Sequence, residues 1–311
     1  MTMGALARAV RIVFLASRPQ YLGASAAPVL VGSALGYTAG GDFRAGLFAL
    51  ALLAIMALHA GANVVNDYFD HLSRNDWVNR NPTPFSGGSR FIQNGLLSPK
   101  ATLLTGLAYL AVGSAIGLLI VALTRSLFIL GIGVVGVLGG FFYTAWPIRL
   151  GYRGIGEIVI GFLFGVLPVY GSYYLQARSV ELLPLLPALI VAILIFLVIF
   201  INEFPDLPAD RQVNKKTMIV ALGIPACVVI YRVTLAATYV LAALMLLTRT
   251  TFFGGTLYLL TLPLAVFALR SANSQDLVKP GLYRASQLTI LLHNVGSLAL
   301  AAGLLVPALI G

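Results

Sequence analysis

The chain has 311 residues, of which 59% are apolar and only 10% are charged. A soluble domain of this length would not sustain such a composition, which is typical of a polytopic membrane protein. The net charge of +10 would suit a nucleic-acid-binding protein if the chain were soluble. In a membrane protein the Lys and Arg side chains instead mark topology, so we expect a lipid bilayer as partner and no nucleic acid.

Long apolar runs predict an all-α fold. A helix needs about 20 apolar residues to cross the hydrocarbon core, and backbone polar groups that find no partners in lipid must be satisfied within helices. Nine runs are long enough, so the sequence predicts nine transmembrane helices. Their approximate ranges are 20–39, 45–67, 102–124, 126–145, 155–176, 182–203, 225–247, 252–269 and 287–309.

Basic residues predict the orientation of these helices. With the N-terminus in the cytoplasm and the C-terminus outside, most Lys and Arg residues fall in cytoplasmic segments, as the positive-inside rule requires. The four exceptions among the twenty are Arg44, Arg125, Arg178 and Arg249. In the cytoplasmic membrane, this orientation places the acidic segments 66–76 and 202–210 toward the cytoplasm.

Residues 1–19 predict a short amphipathic segment that leads into the first span. Arg18-Pro19 interrupts the apolar run where a signal peptide would continue, so no cleaved signal is expected. Arg18 would lie at the mouth of a cavity. It would bind an anionic group there or, with equal weight, simply snorkel to the membrane interface.

The first acidic stretch lies at the end of the second span. His59, Asn63, Asn66 and Asp70 are spaced at i, i+4, i+7 and i+11, which places them on one face of a helix. Asp67 belongs to the same stretch, and Asp76 follows it. Because such a polar stripe is costly in lipid, we expect it to face a cavity.

The polar loop from 71 to 100 contains Arg80, Arg90 and the sequence Ser86-Gly-Gly-Ser89. The glycine pair would let backbone amides approach an anion, with the arginines supplying charge. A plain linker is the alternative. Long loops in compact proteins are usually functional or disordered.

The turn from Tyr143 to Gly154 carries Arg149 and Arg153 and leads into Glu157 within the next span. An acid inside the membrane is costly unless it is paired. One arginine would neutralise Glu157, or both would bind phosphate oxygens. The sequence leaves these two alternatives open.

A second acidic stretch repeats the first. The pattern Asn-acid-aromatic-x-Asp begins at Asn66 and recurs 136 positions later at Asn202, ending at Asp206. Asp210 follows, with Arg211 and Lys215 close behind. The recurrence predicts one domain, 1–311, built from two related halves, about 1–150 and 151–311.

The donor groups indicate a metal. Two sets of carboxylates, with a single cysteine and few histidines, suit Mg²⁺ or Mn²⁺ better than zinc or copper. Asp70 and Asp76 would hold one ion, and Asp206 and Asp210 another, with Arg and Lys nearby. Such an arrangement suits a diphosphate, whose leaving-group charge grows as its bond breaks. An apolar tail on this ligand would lie in the membrane, as in a prenyl diphosphate.

These motifs resemble those of the UbiA superfamily of intramembrane prenyltransferases. The family's first motif, Asn-Asp-x-x-Asp with a later Asp, matches 66–70 with Asp76, and its second, Asp-x-x-x-Asp, matches 206–210. The resemblance covers nearly the whole chain and implies nine helices around a central cavity. Within the superfamily the chain is most similar to the 1,4-dihydroxy-2-naphthoate polyprenyltransferases of menaquinone synthesis. Four features of the sequence carry the similarity to that branch. They are Arg18-Pro19, the six-residue spacing from Asp70 to Asp76, the segments 143–147 and 153–157, and the segment 202–206 followed by Lys215-Lys216-Thr217.

The resemblance implies Mg²⁺-assisted loss of diphosphate from a prenyl diphosphate, then attack by an electron-rich aromatic acceptor and, for dihydroxynaphthoate, loss of CO₂. Asp70, Asp76, Asp206 and Asp210 would be the catalytic residues. The implied metal-binding residues are Asn66, Asp67, Asp70, Asp76, Asn202, Asp206 and Asp210. The implied diphosphate-binding residues are Arg80, Arg149, Arg153, Arg211 and Lys215. Arg18 would bind the acceptor carboxylate, and Tyr143 would contact the acceptor or steady positive charge through its ring.

Two alternatives stay open at this point. The acceptor would instead be hydroxybenzoate, another aromatic or a glycerol lipid. A transporter is the other alternative, since inverted repeats and midplane carboxylates also mark transporters. The two acidic stretches here lie four helices apart and at one membrane face, which disfavours the transporter.

Overall fold

The computed structural model describes residues 3–310, and its regular elements over that range are helices. The helices of the N-terminal part are α1 Met3–Ala16, α2 Leu22–Gly40, α3 Ala45–Leu72, α4 Asn75–Val78, α5 Pro99–Thr124 and α6 Leu127–Phe142. Those that follow are α7 Gly156–Gly161, α8 Leu167–Ala177, α9 Leu185–Asn202, α10 Leu207–Gln212 and α11 Met218–Leu222. The last are α12 Ile224–Met245, α13 Phe252–Leu259, α14 Leu262–Ser271 and α15 Arg284–Ile310.

Seven helices within residues 3–310 are long and apolar enough to cross a membrane. They are Pro19–Gly40, Ala45–Leu72, Pro99–Thr124, Gly156–Ala177, Leu185–Asn202, Ile224–Met245 and Arg284–Ile310. The fourth joins α7 to α8 through a π-helical turn, Phe162–Val166. The all-helical, membrane-spanning fold predicted from composition is therefore confirmed.

The predicted count of nine is not confirmed. The predicted span 252–269 is α13 and α14, which bend by 48° at a short break and make an eighth span only if they are counted together. Pro263 lies in the first turn of α14, where it starts a new helix but cannot continue an old one. The predicted span 126–145 is α6, whose 16 residues fall short of the usual spanning length. The division into two related halves stays a prediction.

The helices pack around α9, whose side chains are mostly buried and apolar. It contacts α12, α15 and α7, and an all-round hydrophobic helix is expected at such a central position. Small residues bring other pairs close together. A Cβ on Gly32 of α2 would lie 2.2 Å from the carbonyl oxygen of Val169 in α8, so the two backbones approach as closely as glycine allows.

The acidic stretches lie where two long helices end. After Asp70, α3 ends at Leu72 and the chain turns into the short helix α4. After Asn202, α9 ends and the short helix α10 begins, with Pro208 in its first turn, a position that suits proline. Because α4 and α10 contact each other, both acidic stretches are brought to the same end of the bundle.

Candidate active site

Two asparagines join the acidic stretches into one site. The Nδ2 of Asn75 donates to Oδ1 of Asp210 at 2.8 Å. The Nδ2 of Asn79 donates to Oδ1 of Asp206 at 2.7 Å. Both asparagines come from the segment after the first stretch, and both aspartates belong to the second. The two bonds join residues that are 135 and 127 positions apart in the sequence. The two stretches therefore share one hydrogen-bond network.

Lys215 lies between the same two stretches. Its Nζ is 3.5 Å from Oδ2 of Asp70 and 3.9 Å from Oδ1 of Asp210. Burial alone would lower the pKa of Lys215, but the two carboxylates outweigh it and hold that pKa well above its usual range. The Tyr152 hydroxyl also donates to Asp70, at 3.2 Å, and the Arg149 guanidinium lies 3.6 Å from the centre of the Tyr152 ring. Lys215 is therefore a fixed positive charge in the site.

Arg18 and Asp67 form a buried ion pair at the start of the first span. The backbone amide of Ser89 donates to the same Asp67 oxygen at 3.2 Å. Burial alone would lower the pKa of Arg18, but the charges of Asp67 and Asp76 outweigh it and raise that pKa. Arg18, predicted to bind an acceptor carboxylate, thus already contacts one carboxylate of the protein.

The loop after α4 covers the carboxylates with polar donors. The amide of Gly87 donates to Oδ2 of Asp206 at 3.2 Å, and Nε2 of Gln93 donates to Oδ2 of Asp76 at 3.3 Å. Gly88 has a positive φ of 76°, which a side chain disfavours. A Cβ there would lie 2.6 Å from Oδ2 of Asp76. The glycine pair does bring amides to anions, as the sequence suggested, and in the structure those anions are aspartates of the site.

Burial and mutual repulsion shift the carboxyl groups toward protonation. Burial, reinforced by Asp70 and Asp67, raises the pKa of Asp76 to about 8. Burial and the charge of Asp210 raise the pKa of Asp206 to about 6. Burial also raises the pKa of Asp210, although Lys215 opposes the shift. These three carboxyl groups therefore keep their protons to a higher pH than free aspartate does.

Several oxygens in this site have no hydrogen-bond partner in the described part of the chain. They are Oδ2 of Asp67, Oδ1 of Asp76, Oδ1 of Asn202 and Oδ2 of Asp210, and all four are buried. Buried polar atoms without partners are costly, and hard oxygen donors suit Mg²⁺. Among residues 3–310, no three His, Cys, Asp or Glu side chains come close enough together to hold an ion by themselves. The donor set fits a Mg²⁺ ion that takes one or two carboxylates and completes its shell with water and phosphate.

A cavity of about 180 Å³ lies beside the acidic residues. His59, Asn63 and Asn66 of the predicted polar stripe line it, as do Tyr143 and Asn202. Its remaining wall includes apolar side chains of the span 156–177 and of α9. The prediction that the stripe faces a cavity is confirmed for these three residues, whereas Asp70, its fourth member, is not among the residues that line the cavity.

Three predicted phosphate ligands are exposed: Arg80, Arg153 and Arg211. Arg153 donates through Nε to the carbonyl oxygen of Ile148 at 2.5 Å, and its backbone pairs with that of Lys216. In the described part of the chain, none of the three forms an ion pair with an acidic side chain.

Glu157, the acid at the start of its span, accepts instead from a backbone amide. Its Oε1 lies 2.6 Å from the amide nitrogen of Met218. Arg149 lies on the Tyr152 ring, so the structure shows neither arginine neutralising Glu157. The alternative in which both arginines face a phosphate stays open.

Sequence reasoning missed Asn75, Asn79 and Tyr152. Asparagine in a polar loop is common and gives no periodic signal, so the donors that connect the two motifs were not singled out. Tyr152 lies in the turn before Glu157 and was assigned no role, although its hydroxyl contacts Asp70. The only signal available was position, since Asn75 directly precedes Asp76.

The fold and the site together define a class: a helical integral membrane enzyme whose acidic site adjoins an apolar-walled cavity. The chain belongs to the UbiA prenyltransferase family, whose sequence profile matches residues 25–281. It is accordingly an enzyme that transfers prenyl groups.

Comparison with individual proteins shows which members of the family this chain is similar to. The chain is 29% identical to the 1,4-dihydroxy-2-naphthoate octaprenyltransferase of Haemophilus influenzae, over 92% of this chain and 94% of that protein. It is 30% identical to the 1,4-dihydroxy-2-naphthoate octaprenyltransferase of Mycobacterium tuberculosis, over 74% of this chain and 76% of that one. Among solved structures, a UbiA homolog from Archaeoglobus fulgidus bound to DMAPP and Mg²⁺ shares the fold. The TM-score is 0.69 at 18% identity, over 93% of this chain and 98% of that one.

Proposed function

We propose that this enzyme transfers a polyprenyl group from a prenyl diphosphate to 1,4-dihydroxy-2-naphthoate in an Mg²⁺-dependent reaction that releases diphosphate and CO₂. The relatives named above carry that activity in their names. A structural neighbour was solved with a prenyl diphosphate and Mg²⁺. The step belongs to menaquinone biosynthesis.

The observation that carries the proposal is the convergence of the two acidic stretches beside an apolar-walled cavity. Asn75 and Asn79 bind Asp210 and Asp206 directly. A diphosphate and its metal ions need many negative and neutral oxygens near fixed positive charges. A prenyl tail needs apolar walls. This site places the two side by side, with the acidic residues next to the cavity.

Each group of residues has an assigned task. Asp70, Asp76, Asp206 and Asp210 hold Mg²⁺, assisted by Asp67 and by the amide oxygens of Asn66 and Asn202. When bound, Mg²⁺ neutralises the charge that builds on the departing diphosphate. Lys215 binds diphosphate oxygens. Arg80, Arg149, Arg153 and Arg211 supply further positive charge at the entrance.

The cavity receives the acceptor and the reactive end of the donor. Arg18 binds the carboxylate of the acceptor, and Tyr143 faces the allylic cation. Apolar walls exclude the water that would otherwise quench that cation. A second cleft, of about 350 Å³ and lined by apolar side chains, has room for the tail of the donor. Leu58 of α3 lines this cleft, and the next residue, His59, lines the cavity.

The proposed location is the cytoplasmic membrane with the acidic site toward the cytoplasm. The distribution of Lys and Arg supports this orientation. The same orientation would let water-soluble diphosphate leave into the cytoplasm while the prenylated product stays in the lipid.

The test is a defined reaction. Purified protein in detergent or nanodiscs is incubated with Mg²⁺, geranylgeranyl diphosphate and dihydroxynaphthoate, and the product is identified by mass. We expect prenylated naphthoquinol without the carboxyl group, and no product when Mg²⁺ is chelated. The variants Asp70→Ala and Asp206→Ala should abolish product. Asp276→Ala is the matched control, because Asp276 pairs with Lys279 in an exposed loop and should retain activity.

Parallel reactions with hydroxybenzoate and with a glycerol lipid test the acceptor. Product with one of these and none with dihydroxynaphthoate would replace the proposed acceptor but keep prenyl transfer. Full diphosphate release by both aspartate variants would contradict the metal assignment.

A further inference from the structure

His59 lies in the wall of the cavity beside the acidic site, and the reaction described so far gives it no task. It belongs to α3 and lines the cavity together with Ser25 of α2. Its Nδ1 and the Ser25 hydroxyl oxygen are 2.6 Å apart. The ring also packs against Phe164, with centroids 4.8 Å apart. Contacts on two sides hold the imidazole in one orientation.

One ring nitrogen of His59 stays available to a ligand. In the described part of the chain, the His59 ring forms one hydrogen bond, between Nδ1 and the Ser25 hydroxyl. Nε2 has no protein partner there. When Nδ1 donates its proton to the Ser25 oxygen, Nε2 carries a lone pair. A neutral imidazole in that tautomer is a proton acceptor.

The other groups facing the cavity lack this capacity. Its charged and titratable lining residues are Arg18, Tyr21, Tyr143 and His59, and the described lining contains no carboxylate. Arginine stays protonated, and a neutral tyrosine is a proton donor at ordinary pH. Asn63, also in the wall, is occupied in donating to the carbonyl oxygen of Ser17 at 3.0 Å. The cavity wall therefore offers one side chain with a free lone pair that can accept a proton.

An aromatic acceptor needs such a group. As its ring carbon bonds to the allylic carbon and the bond from that carbon to diphosphate breaks, the ring hydroxyl becomes strongly acidic. Removing the hydroxyl proton turns the intermediate into a neutral ring ketone. A positioned base contributes about 10²- to 10⁴-fold to steps of this kind.

We propose that His59 is the general base for the aromatic acceptor, an assignment that rests on the proposed prenyl transfer. Nε2 of His59 takes the hydroxyl proton as the new carbon–carbon bond forms, and diphosphate leaves with the electron pair of its bond. The ring then loses CO₂ from the substituted carbon, whose electron pair returns to the ring. His59 gives its proton back to the ring oxygen, so the imidazole ends as it began. Ser25 is a positioning residue that fixes the tautomer.

The test compares two histidines that both contact α2. His59→Gln removes the base but keeps a polar side chain. His293→Gln is the matched control, because His293 contacts α2 through the carbonyl oxygen of Ala24 but is fully buried and does not line the cavity. For each variant, binding of geranylgeranyl diphosphate with Mg²⁺ is measured by thermal shift, and acceptor-dependent product formation is measured across pH.

We expect His59→Gln to bind the donor with normal affinity and to lose about 100-fold or more in kcat. The wild-type rate should rise with pH along a limb that reflects one deprotonation, and this limb should be absent in His59→Gln. His293→Gln should keep the wild-type rate and limb. Ser25→Ala should lose less than His59→Gln and shift the same limb.

Three results would overturn the assignment. One is a His59→Gln rate within about twofold of wild type, far below the usual contribution of a base. Another is an unchanged pH limb in that variant. The third is loss of donor-induced stabilisation, which would show that His59 is needed to bind the donor and not only to accept the proton. An inactive wild type with every aromatic acceptor would instead refute the proposed function, so the two failures are distinguishable.

Discussion

The bond between Asn75 and Asp210 offers a quantitative test of how the two acidic stretches cooperate. Asn75 is buried, and its amide donates to Asp210 at 2.8 Å, which leaves the second oxygen of Asp210 without a protein partner. In Asn75→Ala the carboxylate loses the donor that orients it. A hydrogen bond to a charged group contributes about 1.5–3 kcal/mol. At about 1.36 kcal/mol for each tenfold change, this corresponds to about a 10- to 160-fold loss.

We therefore expect Asn75→Ala to need about 10- to 100-fold more Mg²⁺ for half-maximal diphosphate release, in line with the usual effect of removing a residue that orients a metal ligand. The assay is a Mg²⁺ titration at saturating donor and acceptor. Asn273→Ala is the matched control. Asn273 donates to Asp276 at 2.7 Å with the same chemistry, but Asp276 is 44% exposed and lies outside the site. An unchanged or tighter Mg²⁺ requirement in Asn75→Ala would refute the reasoning.

Three further predictions concern the same site. Gly88→Ala should abolish activity and lower the melting temperature more than Gly281→Ala. Both glycines have a positive φ. A Cβ at position 88 would lie 2.6 Å from Asp76, whereas a Cβ at position 281 would have no atom within 4 Å. Equal melting temperatures of the two variants would contradict the predicted difference. Because the folded-state pKa of Asp76 is raised from 3.8 to about 8, the metal-free protein holds an extra proton relative to the unfolded chain between those values. Its stability should therefore fall as pH rises from about 4 to about 8, and Mg²⁺ should stabilise the protein more at the upper end of this range than at the lower end. Differential scanning fluorimetry measures both effects, and a Mg²⁺ effect that shrinks with rising pH would overturn the assignment. Lys215→Met should raise the KM for the prenyl diphosphate about 10-fold or more, because one charge-assisted contact is lost. Lys279→Met is the control in the same steady-state assay and should keep the wild-type KM, because Lys279 pairs with the exposed Asp276.

Much of this architecture follows from the sequence by simple rules. Apolar runs predict the helices because lipid leaves no alternative partner for the backbone. The polar stripe from His59 to Asp70 predicts a cavity because its spacing fixes one helix face, and the structure lines a cavity with three of its members. These rules act within one helix, so the local sequence pattern is enough to apply them.

The remainder depends on contacts between distant parts of the chain. Arg18 pairs with Asp67, 49 residues away, and Asn75 binds Asp210 across 135 residues. No local pattern shows which of these residues pair with each other. The predicted count of nine spans was not confirmed for a related reason. Apolar length sets where a helix is possible, whereas the break between α13 and α14 is set by packing and by one proline.

The short helix α6 has a consequence for depth in the membrane. Its 16 residues rise about 24 Å, whereas the hydrocarbon core is about 30 Å thick. The polar turn that follows it, from Tyr143 to Arg153, therefore lies below the surface of the hydrocarbon core. Water reaches deeper into the membrane on this side of the bundle. A phosphorylated lipid could then keep its head group in contact with water while the bond that breaks lies level with the acyl chains. The short helix α6 thus suits a substrate that has a charged head group and an apolar tail.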